Sequence, residues 1–196
     1  MKTAAITLSL LVLMLTHFTS AQSLPSKIRG YKVYDAKVTV TNTTGSAIQK
    51  DRSDAIVRIL DPAITGISLS GAVFEIGAEI TAMNESGKVD FMTCSDLRVN
   101  GVPIEIEEYT HPFAFKKGEK ITLPKPATIS IKTANIAKSA YKELADPKKD
   151  WSVTGTVFVF GKFKRFGFSF KRVVPVKIDL KISNPLGTDS SNTKDE

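Results

Sequence analysis

A regular alternation of apolar and polar residues near the C-terminal end constrains the fold more than any other feature. From Phe166 to Ile182 the even-numbered positions are apolar except for Arg172, and the odd-numbered ones are mostly Gly, Ser, Lys, Pro and Asp. Because successive side chains of a strand point to opposite faces, this pattern predicts a strand with one buried face. We therefore predict that Phe168 lies in the core and that Phe168→Ala costs about 3–5 kcal/mol of stability.

The same alternation recurs along most of the chain and predicts about ten strands. Asn100-Gly101 lies between two valines and favours the two-residue turn of a β-hairpin, since both central residues must tolerate positive φ. With 196 residues, 42% of them hydrophobic and 24% charged, the chain has the composition of one globular domain. We predict a mostly β fold, a two-sheet antiparallel β-sandwich that forms a single domain over residues 31–184.

One segment departs from the strand pattern and predicts a short α-helix. Between Thr133 and Pro147 the apolar residues recur at helical spacing, Thr133 suits the N-cap, and Asp146-Pro147 ends the run. A helix of about three turns is marginal alone, so it would have to pack against the sheets.

The N-terminal end has the pattern of a secretory signal peptide. Lys2 precedes an apolar run from Ala4 to Leu15, and a polar stretch then ends in the small residue Ala21. This arrangement predicts a signal peptide over residues 1–21, cleaved before Gln22. The alternative is an uncleaved anchor, but the run falls short of the roughly 20 apolar residues that span a bilayer. We expect a secreted or periplasmic protein.

Two polar segments flank the predicted domain. Residues 22–30 are expected to form a mobile lead-in, and residues 185–196 a disordered polar tail, because neither contains enough apolar residues to join a core.

The residues that usually carry catalysis or bind metals are scarce. Cys94 is the only cysteine, so no internal disulfide is expected, and its apolar surroundings favour a small buried side chain over a nucleophile. His111 is the only histidine after the predicted leader, which is too few for a typical zinc site. Glu105, Glu107 and Glu108 could form a glycosidase-like acid–base pair or simply a solvated face, and we favour the solvated face. We predict no enzymatic activity, no metal and no cofactor.

A basic segment is the candidate binding site. Five cations lie within eleven residues, close to three phenylalanines, Phe158, Phe160 and Phe163. The cations are Lys162, Lys164, Arg165, Lys171 and Arg172. Two strands meeting at a cationic turn explain the pattern, and any recognition is then expected at residues 162–165 rather than along the strands. The candidate partners are an anionic membrane surface or an acidic glycan. Nucleic acid is disfavoured, because exported proteins rarely meet it.

Two N-glycosylation motifs occur at predicted turns. Asn42-Thr43-Thr44 and Asn84-Glu85-Ser86 both match the acceptor pattern. They predict glycosylation at Asn42 and Asn84 only if the source is eukaryotic.

The order of these features resembles the late embryogenesis abundant type 2 family, whose domain is also called the water stress and hypersensitive response domain. The resemblance covers about residues 64–178. It rests on Asn84, "VNG" at Val99–Gly101, the predicted helix, and "VTGTV" leading to "VPV" at Val174–Val176. The family usually has proline after the asparagine, where this chain has Glu85.

The resemblance implies an Ig-like β-sandwich with one helix and no enzymatic activity. It also implies stress protection, or binding at membrane or protein surfaces. The alternative is an adhesion or assembly module that pairs with a protein partner through an edge strand.

Overall fold

The computed structural model describes residues 24–42, 53–82, 84–132 and 150–183. Within these ranges the chain forms fifteen strands and no helix. In chain order the strands are β1 (Lys27–Ile28), β2 (Tyr31–Val33), β3 (Val38–Asn42), β4 (Ala55–Ile59), β5 (Ala63–Ser68), β6 (Gly71–Ile76), β7 (Ala78–Ala82), β8 (Ser86–Val99), β9 (Val102–Pro103), β10 (Glu105–Ile106), β11 (Phe113–Phe115), β12 (Lys120–Thr122), β13 (Ala127–Lys132), β14 (Asp150–Arg165) and β15 (Phe168–Ser183).

The strands form two layers around an apolar interior. One layer is a seven-stranded sheet in the order β1-β2-β15-β14-β8-β11, with β9 beside β8. The other layer consists of two four-stranded sheets, β10-β13-β6-β5 and β12-β7-β4-β3. The ring of Trp151 in the large sheet meets that of Phe74 in the facing layer edge-on, with centroids 6.4 Å apart.

Most strand pairs are antiparallel, and the predicted β-sandwich is confirmed. The exceptions are two parallel pairs, β2 with β15 and β3 with β4. The predicted hairpin turn at Asn100-Gly101 is also present, joining β8 to β9 with positive φ at both residues. The predicted helix over residues 133–147 and the tail over residues 185–196 lie outside the described residues.

The first strand begins before the predicted domain boundary. Lys27 and Ile28, inside the predicted lead-in, form β1 and pair with Tyr31 and Lys32 of β2. The lead-in is therefore in part a strand. Tyr31 then packs edge-on against Phe160, with ring centroids 5.3 Å apart.

The hairpin of β14 and β15 forms the centre of the large sheet. Its two strands pair along all 16 residues of each, from Asp150 with Ser183 to Arg165 with Phe168. β8 covers the other edge of β14 as far as Lys164, and β2 pairs with β15 only at Arg172 and Val173. β15 therefore extends four residues past β2, whereas β14 extends only one residue, Arg165, past β8.

The alternation of β15 holds in its second half and fails at its start. Val174, Val176, Ile178 and Ile182 are buried as predicted. Phe168, in contrast, is 69% exposed, so the prediction that it lies in the core is wrong. Phe168 points to the same face of the sheet as the buried residues of β15. It lies, however, beyond the residues that the neighbouring strands reach.

The large phenylalanine of the core in this hairpin is Phe160. It is 1% exposed, and its ring stacks on that of Phe91 with centroids 4.4 Å apart. We expect Phe160→Ala to cost about 3–5 kcal/mol, as deletion of a buried aromatic side chain does. Phe168→Ala should instead stay within about 0.5 kcal/mol, as exposed substitutions usually do.

Denaturant unfolding midpoints of these two variants and the parent chain check the expectation. Equal losses in both variants would show that the ring of Phe168 is buried in solution.

Candidate anionic-surface site at the hairpin tip

The turn between β14 and β15 holds a phenylalanine in an unfavourable backbone conformation. Phe166 has φ +51° and Gly167 has φ +81°, the signs of a type I′ turn. Such turns favour Asn, Asp or Gly at the first central position, and positive φ is uncommon for a bulky residue. Strained conformations of this kind are enriched at functional sites. The side chain of Phe166 is 87% exposed, so core packing does not account for it.

Two more phenylalanines continue this exposed surface along β15. Phe168 is 69% exposed and Phe170 is 42% exposed, and their ring centroids lie 6.5 Å apart. We call Phe166, Phe168 and Phe170 the aromatic tip. Single exposed apolar residues are common on soluble proteins, but adjacent large ones mark interaction sites.

Three lysines lie on the other face of the same hairpin end. Lys162 pairs directly with Lys171, and Lys164 pairs with Ser169. All three lysines are exposed, and within the described parts of the chain none of them has a carboxylate partner within ion-pair distance. Like charges directly opposite each other on a sheet are destabilising. The lysine face, Lys162, Lys164 and Lys171, therefore carries uncompensated positive charge.

The two arginines of the predicted site are held by a carboxylate. Glu85 lies 3.3 Å from Arg172 and 3.8 Å from Arg165, and its side chain is only 13% exposed. The guanidinium of Arg172 also lies 4.2 Å from the ring centroid of Tyr34 and 4.9 Å from that of Phe170. Arg172 thus stabilises the base of the hairpin end, while its stacking fixes the ring of Phe170.

The structure therefore divides the five predicted cations into two groups. Within the described residues the three lysines have no carboxylate partner, and Lys171 lies over the ring of Tyr31 at 5.2 Å, whereas Arg165 and Arg172 pair with Glu85. The sequence interpretation also missed the aromatic tip, because it assigned the even-numbered phenylalanines of β15 to the core. Phe166-Gly167 between Arg165 and Phe168 is the signal that could have identified them. A turn there places these phenylalanines at the end of a hairpin.

The three phenylalanines that the sequence analysis placed beside the cations are not part of the exposed surface. Phe160 is buried, Phe158 and Phe163 are half-buried, and Phe163 packs against Phe115 with ring centroids 6.0 Å apart. Their role in the fold agrees with two strands meeting at a cationic turn.

Cys94 lies on β8 and faces the interior of the sandwich. Burial raises the pKa of its thiol from 9.0 to about 11. A thiol that stays protonated at neutral pH is a poor nucleophile, which agrees with the prediction of a small apolar-type side chain.

Glu105, Glu107 and Glu108 are exposed, and His111 is half-buried. Glu105 pairs with Lys132 at 2.6 Å and Glu108 pairs with Arg29 at 2.7 Å, all with exposed side chains. The ring of His111 meets that of Tyr109 edge-on. Among the described residues there is no group of three or more side chains of the types that could hold a metal ion.

The two asparagines of the glycosylation motifs both donate hydrogen bonds. Asn42 ends β3 and its Nδ2 donates to the carbonyl oxygen of Lys181. Nδ2 of Asn84 donates to Oδ1 of Asp54 at 2.9 Å, at an exposed position. Asn84 is the more accessible of the two, and glycosylation of either residue stays a prediction.

Comparisons with known proteins give little information on identity. No family of known proteins and no curated protein matches the sequence. A crystal structure of a protein from Archaeoglobus fulgidus is similar over 65% of this chain and 94% of its own, with 12% identity and a TM-score of 0.38. Over the described residues, no helix has the length and apolar character needed to cross a membrane.

The raised pKa of Cys94 predicts how the folded protein responds to alkaline pH. Because folding favours the neutral thiol, its stabilising effect is present below pH 9, falls between pH 9 and about 11, and is then lost. Iodoacetamide alkylation of the folded chain should accelerate with a midpoint near pH 11, and that of the urea-unfolded chain near pH 9. A midpoint near 9 in the folded chain would contradict burial of Cys94, and a Cys94→Val chain gives the background.

Proposed function

We propose that this chain is an exported, non-enzymatic β-sandwich that binds anionic membrane surfaces through the end of its β14–β15 hairpin. The observation that carries the proposal is the aromatic tip, three exposed phenylalanines at a hairpin end that also bears the lysine face. Packing of the fold does not require these three rings to be exposed. The backbone of Phe166 also has an unfavourable positive φ.

The chemistry of the hairpin end fits the boundary between lipid headgroups and acyl chains. Phenylalanine rings gain free energy by leaving water, up to about 3 kcal/mol for a ring that becomes fully buried. A lysine near an anionic leaflet contributes about 1 kcal/mol, so the lysine face supplies about 3 kcal/mol at low ionic strength. These amounts support reversible, salt-sensitive association rather than permanent anchoring.

The aromatic tip also favours a membrane over an acidic glycan. An acidic glycan would engage the lysines, but it offers little hydrocarbon for three phenylalanines. Bases could stack on these rings, so nucleic acid is disfavoured by the proposed export of the chain and not by the aromatic tip. The resemblance to late embryogenesis abundant type 2 proteins adds the proposal that this binding serves stress protection at such surfaces.

A second function, adhesion or assembly through an edge strand, is favoured by β5. This strand is the outer strand of its sheet, and Ile67 is 77% exposed and the following Leu69 99% exposed. An exposed, apolar edge strand is a template for pairing with another chain.

Vesicle sedimentation tests the membrane proposal. We expect residues 22–196 to sediment with phosphatidylglycerol vesicles at low salt, and not with phosphatidylcholine vesicles or at high salt. Replacing Lys162, Lys164 and Lys171 together by alanine should weaken binding by about 3 kcal/mol, or roughly 100-fold. Replacing the three phenylalanines of the aromatic tip by serine should also weaken binding, and this loss should persist at every salt concentration.

A matched control separates the lysine face from net charge. Lys125, Lys177 and Lys181 are exposed and lie away from the hairpin end, and their replacement by alanine removes the same three charges. This control should bind vesicles nearly as well as the parent. An equal loss of vesicle binding in both triple variants would show that only the net charge matters. If the parent chain does not sediment with any vesicle, pairing at β5 becomes the favoured function.

A further inference from the structure

The interior of the sandwich contains a large apolar cavity. Its volume is about 180 Å³, and it lies between the large sheet and both facing sheets. In the described part of the chain its walls are almost wholly hydrocarbon, and they include Met92, Cys94, Trp151 and Val176. Protein interiors rarely contain voids larger than a water molecule. A cavity of this size therefore requires an explanation.

A second cavity continues the first toward the aromatic tip. It measures about 100 Å³ and shares Val57, Ile80, Met92 and Val176 with the larger one. Its far wall includes Phe163 of β14. The two cavities thus lie side by side along the strands, an arrangement that suits an elongated occupant.

In the described part of the chain, the walls of the two cavities offer no buried side-chain oxygen or nitrogen that is free to bond a ligand. Over the described residues, no buried side-chain oxygen or nitrogen is without a hydrogen-bond partner. The Tyr109 hydroxyl in the wall donates to the carbonyl oxygen of Lys125 at 3.0 Å. The interior therefore offers dispersion contacts and no spare hydrogen bond, so the part of a ligand that it holds must be hydrocarbon.

We propose that the cavity binds the alkyl segment of an uncharged, single-chain ligand. An apolar cavity of about 150 Å³ in another protein stays dry and takes up benzene, so 180 Å³ accepts a chain of about six carbons. The exposed Glu107 is part of the wall of the larger cavity, and Asp54 is part of the wall of the smaller one. These carboxylates disfavour an anionic head group. The site is independent of the lysine face.

Two natural reporters in the wall make the proposal testable. Trp151 is the only tryptophan and Cys94 the only cysteine of the chain, and both line the larger cavity. The bromine of 1-bromohexane quenches tryptophan fluorescence at contact, whereas hexane does not. We expect saturable quenching of Trp151 by 1-bromohexane, and slower reaction of Cys94 with N-ethylmaleimide in the presence of hexane, which cannot alkylate the thiol.

Variants assign the binding to the interior. Cys94→Phe fills the cavity and should abolish the quenching while the protein melts cooperatively. The Lys162/Lys164/Lys171→Ala variant should bind 1-bromohexane unchanged, so this test can fail or succeed separately from the vesicle test. Anionic 6-bromohexanoate should bind more weakly than 1-bromohexane.

Three results would overturn the proposal. The first is no saturable quenching and no protection of Cys94, which would mean that other parts of the chain fill the cavity. The second is undiminished quenching in folded Cys94→Phe, and the third is equal affinity for 6-bromohexanoate. If Cys94→Phe does not fold, protection of the parent thiol by hexane decides the question.

Discussion

The pairing of β14 with β15 along all 16 residues of each is the interaction on which the rest of the structure depends. β8 adds to one edge of this hairpin and β2 to the other, so the seven-stranded sheet is built around it. The same pairing continues four residues past β2 on β15 and one residue past β8 on β14, where the turn follows. One continuous ladder therefore supplies both the central strands of the large sheet and the candidate binding surface.

The charges at the hairpin end are divided according to the face on which they lie. Arg172 shares a face with Phe170, where Glu85 balances its charge and Tyr34 stacks against it. Among the described residues the lysines on the opposite face have no carboxylate partner, although Nζ of Lys171 lies 5.2 Å from the ring centroid of Tyr31. The aromatic tip is thus mounted on a rigid, internally paired base, and this preorganisation limits the entropy lost when a surface binds.

Alternation alone was sufficient to predict the β-sandwich, because a strand with one buried face requires it, and Val174 to Ile182 follow it closely. Alternation could not show where the facing layer ends. Phe168 therefore points to the core side of the sheet but lies past the point where the core ends. The pairing of Glu85 with Arg165 and Arg172 also escaped prediction, since it joins residues about 80 positions apart. The basic segment itself was visible in the sequence, but which of its cations are uncompensated depends on that tertiary contact. The interior cavity depends on how closely two layers approach, which no local pattern encodes.

A single substitution, Phe166→Asn, tests most directly whether the hairpin end is kept for binding rather than for folding. Asparagine tolerates the positive φ of this turn, so the account predicts that the variant unfolds at a higher denaturant concentration, by about 1 kcal/mol, while it sediments less with phosphatidylglycerol vesicles. A variant that is less stable than the parent would contradict the account, because Phe166 would then stabilise the fold. A variant that binds vesicles as well as the parent would also contradict it, because Phe166 would then have no role in binding.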